Sequence, residues 1–327
     1  MIQKEDTIII GAGPCGLSTA LALQKEGIDP LIIEKGNIVN TIYQFPTHQT
    51  FFSSADKLEI GQIPFVTNAL KPVRNDALAY YREVAQRENL RIHTYETVFD
   101  IVKEDDYIFV NSRKFNGEMI VYHAKHVIFA TGYYDQPNFM KIPGENLPNV
   151  FHYFKEAHPY FQNDVVIIGG RNSAVDAAIE LHHAGANVTV LYRGESYSPS
   201  VKPWILPALA SLVDHGQVKM VFDAEVDEIT PNQVHYHVNG EKKAVQHDFV
   251  FAMTGYQPNV RLLEKTGVIV NSENGRPHFD EESFETNIEN IYVAGVVISG
   301  IYSNETFIEN GRLHGEKIAR SIKNKTN

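Results

Sequence analysis

Thr7-Ile8-Ile9-Ile10-Gly11-Ala12-Gly13-Pro14-Cys15-Gly16 is the stretch from which the fold is read. A β-branched apolar run feeds Gly11-x-Gly13-x-x-Gly16, the helix-like Leu17 to Lys25 follows, and the strand-like Pro30 to Glu34 ends on an acid. That order is the sequence form of a dinucleotide-binding βαβ unit. Gly11 permits the tight strand-to-helix turn, Gly13 lets the backbone come within reach of a pyrophosphate, and Gly16 lets the helix close on the strand. N–H groups of the first helical turn then face the anion. Glu34 is placed to accept hydrogen bonds from the ribose hydroxyls of an adenosine. A carboxylate there repels a 2′-phosphate, so this unit is expected to take FAD or NAD rather than NADP.

Composition sets the frame around this motif. A chain of 327 residues suits two domains of roughly 150 residues each. A net charge of −11 argues against nucleic acid and anionic membrane surfaces as partners. The charged start, Met1 to Asp6, is read as leaving no room for a secretory leader. No apolar run approaches the roughly 20 residues needed to span a bilayer. The single cysteine excludes both an internal disulfide and a Cys-x-x-Cys redox pair, and a cytoplasmic location is expected. No histidine spacing imitates a metal site, so no metal is expected.

Between the first unit and its continuation lies a polar segment, 37–63, dotted with aromatics such as Tyr43, Phe45, Phe51 and Phe52. It reads equally as a wrap around a ligand and as plain core. Helical spacing covers 75–88, capped at Asn75 or Asp76. Alternating runs at 91–95, 98–103, 107–112 and 118–123 read as strands, the last two a hairpin around Asn116-Gly117. Then His126-Val127-Ile128-Phe129-Ala130-Thr131-Gly132 reads as a separate buried strand ending in a sharp turn, and 133–161 has the composition of a linker.

A second unit follows. Asp164 to Ile168 is again an apolar strand, and Gly169-Gly170-Arg171-Asn172-Ser173-Ala174 opens a helix to about His183. The next strand ends in Arg193 where the first unit has Glu34, the change expected if the second ligand carries a 2′-phosphate. Arg171 stands where the second motif glycine belongs, so the close backbone approach is assigned to Gly170, or the loop is displaced. Arg171 itself is a candidate phosphate cover.

An internal repeat supports the pairing of units. Val127 to Tyr133 with Gln136-Pro137-Asn138 recurs as Val250-Phe251-Ala252-Met253-Thr254-Gly255-Tyr256-Gln257-Pro258-Asn259, so Thr131-Gly132 and Thr254-Gly255 close equivalent units. Near the carboxyl end, Ile291 to Gly295 reads as a strand returning to the first domain. A helix starting at Ser303 to Thr306 and reaching Ser321 offers its positive end to an anionic ring edge.

These motifs, with Val293-Ala294-Gly295, resemble the two-dinucleotide-binding flavoprotein reductases related to thioredoxin reductase. The resemblance implies an α/β fold of two Rossmann-like three-layer domains, the NADPH domain (154–257) inserted into a discontinuous FAD domain (1–153 and 258–327). It implies FAD in the first unit, NADPH in the second, and hydride transfer from nicotinamide to flavin N5. With it Lys35, Gln44, Val98, Gly295, Val296, Ser303 and Asn304 join the glycine loop, Glu34 and Thr131-Gly132 as expected FAD contacts. Gly169 to Ala174, Arg193 and Thr254-Gly255 are the expected NADPH contacts. Two departures narrow the choice: the Cys-x-x-Cys of thioredoxin reductases is absent, and the usual Gly-Asp after the last strand is Gly295-Val296. Cys15 in the first loop, Gly-Arg-Asn-Ser-Ala in the second and Ala-Gly-Val at the end are similar to the YpdA-type bacillithiol disulfide reductases. That likeness implies an NADPH:disulfide oxidoreductase of the bacterial cytoplasm. It also implies a small-molecule disulfide substrate, a bacilliredoxin-type partner pathway and association into a homo-oligomer.

Cys15 keeps two readings. A helix N-terminus favours a thiolate that attacks a disulfide; the bound pyrophosphate opposes that charge and leaves a small residue packed under FAD. Three other activities remain as alternatives: a ferredoxin- or flavodoxin-NADP reductase, a flavin monooxygenase, and a flavin-based sensor without turnover.

Overall fold

The computed structural model describes residues 2–105 and 107–326. Contacts divide the chain into two compact units, Met1–Gln136 with Tyr256–Asn327, and Pro137–Gly255.

In the first unit the strand Ile2–Ile10 lies between Leu31–Ile33 and Met119–Phe129, parallel to both, with Arg91–His93 beyond and Ile291–Val293 on the far side of Met119–Phe129. The sheet is covered on both faces, which is why its central strands read as continuous apolar runs. Ile9, Ile32, Ile128 and Tyr292 face one core with Leu17 and Leu21 of helix Pro14–Lys25, and Ile318, Ala319 and Ile322 of helix His314–Thr326. Ile8, Ile10, Leu31, Ile33, Val127 and Phe129 face the other core with Val98, Ile101, Val110 and Ile120 from the antiparallel strands. Helix and meander on opposite faces make three layers.

Met119–Phe129 is one strand where the sequence reading separates 118–123 from 126–132. Its first half pairs antiparallel with Tyr107–Lys114 and buries alternate residues, Ile120, Tyr122 and Ala124. Its last half pairs parallel on both sides and buries every residue from His126 to Phe129. The change of pattern marks a change of neighbours, not a chain break. The turn at Asn116-Gly117 forms as expected, Lys114 N–H donating to the Glu118 carbonyl at 2.9 Å and Gly117 taking φ +89°. The helix expected over 75–88 runs Arg74–Arg87, and Asp76 accepts the Val73 N–H at 3.0 Å.

The carboxyl end differs from expectation. Ser303 and Asn304 lie in turns; helix begins at Ile308 for one short turn to Gly311, and the long helix is His314–Thr326. Asn310 is the reason for the later start, because its Oδ1 accepts the Phe307 N–H at 2.7 Å and caps the chain there. No helix N-terminus therefore stands at Ser303 to Thr306.

The second unit repeats the plan on five parallel strands in the order Val218–Val221, Asn187–Leu191, Asp164–Ile168, Phe249–Ala252, Val150–Phe151, with helix Asn172–His183 after the central strand. Residues 137–153, which the resemblance assigns to the FAD domain, cluster with this unit because Val150 and Phe151 add an edge strand beside Val250 and Phe251. A three-stranded antiparallel meander, Glu225–Ile229, Gln233–Val238 and Glu241–Gln246, is inserted between the parallel strands Val218–Val221 and Phe249–Ala252. Among the described residues no helix is long and apolar enough to cross a membrane.

Candidate functional site

The two glycine loops are built alike. Gly11 has φ +111°, and a Cβ there would collide with the Ala130 carbonyl oxygen; Gly169 has φ +142°, and a Cβ there would collide with the Met253 carbonyl oxygen. Each loop is thus seated on the residue before its Thr-Gly turn, and only glycine allows that approach. This is the spatial meaning of the internal repeat: Thr131-Gly132 belongs beside Gly11, and Thr254-Gly255 beside Gly169.

In the first loop Gly16 is closed, since a Cβ would strike the Gly11 carbonyl, whereas around Gly13 nothing lies within 4 Å of an added Cβ. Gly13 is the N-cap of helix Pro14–Lys25, in extended conformation, with Pro14 at the first helical position. The open side of Gly13 at a helix N-terminus is a cradle suited to a pyrophosphate. Glu34 cinches the loop: its Oε2 accepts the Ala12 N–H and its Oε1 the Gly36 N–H, both at 2.8 Å. One lone-pair site per oxygen is left, the number a ribose diol needs. Burial raises the Glu34 carboxyl against the pull of those two donors. Loop, acid and Thr-Gly turn therefore fit the adenosine diphosphate part of FAD.

The other expected FAD contacts divide. Lys35 pairs with Asp135 at 2.6 Å, close in sequence to Thr131-Gly132. Gly132 is open, with φ +72° and nothing within 4 Å of an added Cβ. Tyr133 next to it is raised by burial against a hydrogen bond from Ser303, which draws Ser303 to the same turn. Val296 is half-buried in the short helix Gly295–Ser299, and Asn304 is exposed. Gln44 ends the short helix Asn40–Gln44. The Val98 side chain is core, leaving only its backbone for a ligand. In the segment 37–63, Phe51 is buried with Phe45 packed on it at a tilt, whereas Tyr43 and Phe52 are exposed, so its aromatics divide between core and surface.

Cys15 is the second helical residue after Gly13. Its sulfur is wedged against two glycines from the carboxyl-terminal segment. A Cβ on Gly311 would come within 2.8 Å of Sγ, and one on Gly295 within 3.0 Å. The residue keeps some solvent contact, but the protein packed around the thiol pushes it up from 9.0 to about 12. Burial outweighs the helix N-terminus here.

Sequence reasoning missed His314. Its Nδ1 accepts the Gly295 N–H at 3.1 Å, and its ring stacks on Phe284 at 4.3 Å between centroids. Burial, then Lys317, lowers His314 to about 4, so it stays a neutral acceptor. A lone histidine in a helical stretch carries no signal of such a contact.

In the second loop Gly170, to which the sequence reading assigns the close backbone approach, is not open as Gly13 is. Gly170 is backed by the Tyr192 ring, with which a Cβ would collide, and Gly194 lies against the same ring. The loop is not displaced: Arg171 is the N-cap of helix Asn172–His183 with φ −99° and ψ −175°, close to Gly13 with φ −74° and ψ 173°. Arg171 therefore holds the N-cap position that Gly13 holds in the first loop, with its side chain exposed, as are those of Ser173 and Arg193, while Ala174 is buried in the core against the strands. Thr254 Oγ1 donates to the Asn138 carbonyl at 2.6 Å, and Asn138 N–H donates to the Gly255 carbonyl at 2.9 Å, locking the second Thr-Gly turn. Among the described residues no group of His, Cys, Asp or Glu is arranged to hold a metal.

A family model described as pyridine nucleotide-disulphide oxidoreductase matches residues 8–295. The chain is 55% identical over 329 aligned positions to the bacilliredoxin reductase Bdr of Bacillus subtilis, covering all of both chains. The solved structure titled bacillithiol disulfide reductase Bdr (YpdA) from Bacillus cereus is 56% identical with a TM-score of 0.97, covering 99% of this chain and 100% of that one. Its counterpart from Staphylococcus aureus is 52% identical with a TM-score of 0.95 and full coverage of both. The chain belongs to the pyridine nucleotide-disulphide oxidoreductase family and is an oxidoreductase that works with FAD and NADPH.

Proposed function

We propose that this protein reduces bacillithiol disulfide, a low-molecular-weight disulfide, with electrons from NADPH, in the bacterial cytoplasm and in support of bacilliredoxin-type proteins. The observation that carries the reading is the end-to-end likeness, 55% over the whole of both chains, to a bacilliredoxin reductase. FAD, when bound, supplies the chemistry by accepting hydride from the nicotinamide and passing electrons to the disulfide.

The chain's own residues supply binding, orientation and selectivity. Gly13 and the first helical turn hold the FAD pyrophosphate, and Glu34 holds the ribose while keeping the loop cinched through Ala12 and Gly36. In the second unit Arg171 covers the NADPH pyrophosphate, and Arg193 at the strand end selects the 2′-phosphate. Cys15 acts as a packing residue between Gly295 and Gly311, and its high thiol pKa supports a reaction without a thiol relay from this chain.

A steady-state panel on the FAD-loaded protein tests the proposal. NADPH oxidation is measured with bacillithiol, glutathione and cystine disulfides, and with ferredoxin. Bacillithiol disulfide is expected to give the highest kcat/KM. Faster turnover with ferredoxin refutes it in favour of a ferredoxin-NADP reductase, and rapid oxygen consumption refutes it in favour of a monooxygenase.

A further inference from the structure

The second glycine loop is tied to a segment well downstream of it. Asn172, the first residue of helix Asn172–His183, uses both ends of its amide on that segment: Oδ1 accepts the Lys202 N–H at 2.9 Å and Nδ2 donates to the Ser200 carbonyl at 3.1 Å. The segment is shaped before it arrives. The Ser198 and Ser200 hydroxyls lie 2.8 Å apart, and the Val201 N–H reaches the Ser198 carbonyl at 3.0 Å. The Lys202 ammonium sits 5.6 Å from the ring centroid of Trp204. From Ser198 to Leu206 there is no acidic residue.

These contacts put a lysine backbone directly at the phosphate-facing end of a helix in a chain whose net charge is −11. The loop itself is short of close backbone approach, because Arg171 replaces glycine and Gly170 is backed by Tyr192. A cation delivered from the side offsets that loss, since a charge-assisted contact to a phosphate oxygen is about twice as strong as a neutral one. Contact with the Trp204 ring limits the side-chain freedom that a lysine otherwise gives up on binding.

We propose that Asn172 is a positioning residue, clasping the segment 198–202 to the second glycine loop so that Lys202 contacts a phosphate of the nicotinamide dinucleotide. The proposal rests on the reading that the second unit takes NADPH. Two phosphate groups share the required chemistry, the pyrophosphate present in NADP⁺ and NAD⁺ alike, and the 2′-phosphate present only in NADP⁺.

Calorimetric titration of the FAD-loaded protein with NADP⁺ and with NAD⁺ tests this without turnover, in wild type, Lys202→Met, Asn172→Ala, the double variant and Arg193→Ala. Lys202→Met is expected to weaken NADP⁺ binding about tenfold. An equal loss with NAD⁺ assigns the contact to the pyrophosphate, and a loss confined to NADP⁺ assigns it to the 2′-phosphate. Asn172→Ala is expected to weaken binding less, and Lys202→Met to cost less in its presence than alone, because the lysine is no longer held. Unchanged binding in Lys202→Met beside weakened binding in Arg193→Ala overturns the lysine contact alone. Unchanged NADP⁺ binding in both also overturns the placement of NADPH in this unit, and strictly additive losses overturn the clasp. Lys202→Met stands outside the loop, so its arm holds even where Asn172→Ala fails to fold.

Discussion

Native Cys15 is expected to be a poor nucleophile, and the size of the effect follows from its surroundings. The thiol is pushed from 9.0 to about 12 by burial between the first helix and the glycines at 295 and 311. At pH 8 an ordinary thiol with the lower value is about one-tenth thiolate, and the buried one about one part in ten thousand, a loss of about a thousandfold. The more basic thiolate is intrinsically more nucleophilic, which with a Brønsted slope of about 0.45 returns roughly a factor of 20. The net expectation is alkylation at least about fiftyfold slower than in the unfolded chain, before steric hindrance is added. The assay is iodoacetamide labelling of the FAD-loaded protein at pH 8, with and without urea, quantified by mass spectrometry; this chain has one cysteine, so every adduct reports Cys15. Native labelling as fast as unfolded labelling, or a native rate that levels off below pH 9, refutes the packing argument and restores the thiolate.

Gly13 and Gly16 should separate binding from stability: Gly13→Ala keeps the melting temperature of the apoprotein and weakens FAD, whereas Gly16→Ala, whose Cβ meets the Gly11 carbonyl, costs about 2 kcal/mol or more of stability. Denaturation with and without FAD checks both, and equal effects of the two substitutions would falsify the division. Glu34→Gln leaves the Ala12 or the Gly36 N–H facing an amide nitrogen, so FAD release is expected to quicken by about tenfold, read from flavin fluorescence on dilution. His126 and His314 are both lowered to about 4 from 6.5, by burial first and then by Lys325 and Lys317 respectively. The unfolded chain takes up these protons from about pH 6.5 downward and the folded one only near pH 4, so stability falls through that window by up to roughly 3 kcal/mol per imidazole. Urea midpoints between pH 7 and 4.5 should show a shallower fall in His126→Leu than in wild type; an unchanged slope contradicts the assignment.

The parts of the fold legible in the sequence were those where one residue type has few substitutes. Gly11, Gly16 and Gly169 sit where a Cβ meets a carbonyl, and the apolar runs of the central strands reflect burial on both faces. The strand 119–129 was split because its alternating half and its continuous half look like two elements until their neighbours are known. The sequence reading opens the last helix at Ser303 to Thr306, while the cap in use is Asn310 acting on Phe307, a contact with no pattern of its own in the sequence. At the site, spacing located both loops and set Arg171 at the position equivalent to Gly13, but gave no sign that Tyr192 backs Gly170. Contacts between residues far apart in sequence, such as His314 with Gly295 and Cys15 with Gly311, leave no periodicity behind.

The proposed reaction is disulfide reduction with electrons from NADPH and without a thiol of this chain. The most direct measurement mixes NADPH-reduced, FAD-saturated Cys15→Ala anaerobically with bacillithiol disulfide and follows flavin absorbance and released thiol together. Recovery of the oxidised flavin spectrum with two thiols released per disulfide is the predicted result. A spectrum that stays reduced with the disulfide, while wild type recovers, makes Cys15 part of the electron path and refutes reduction without a thiol of this chain.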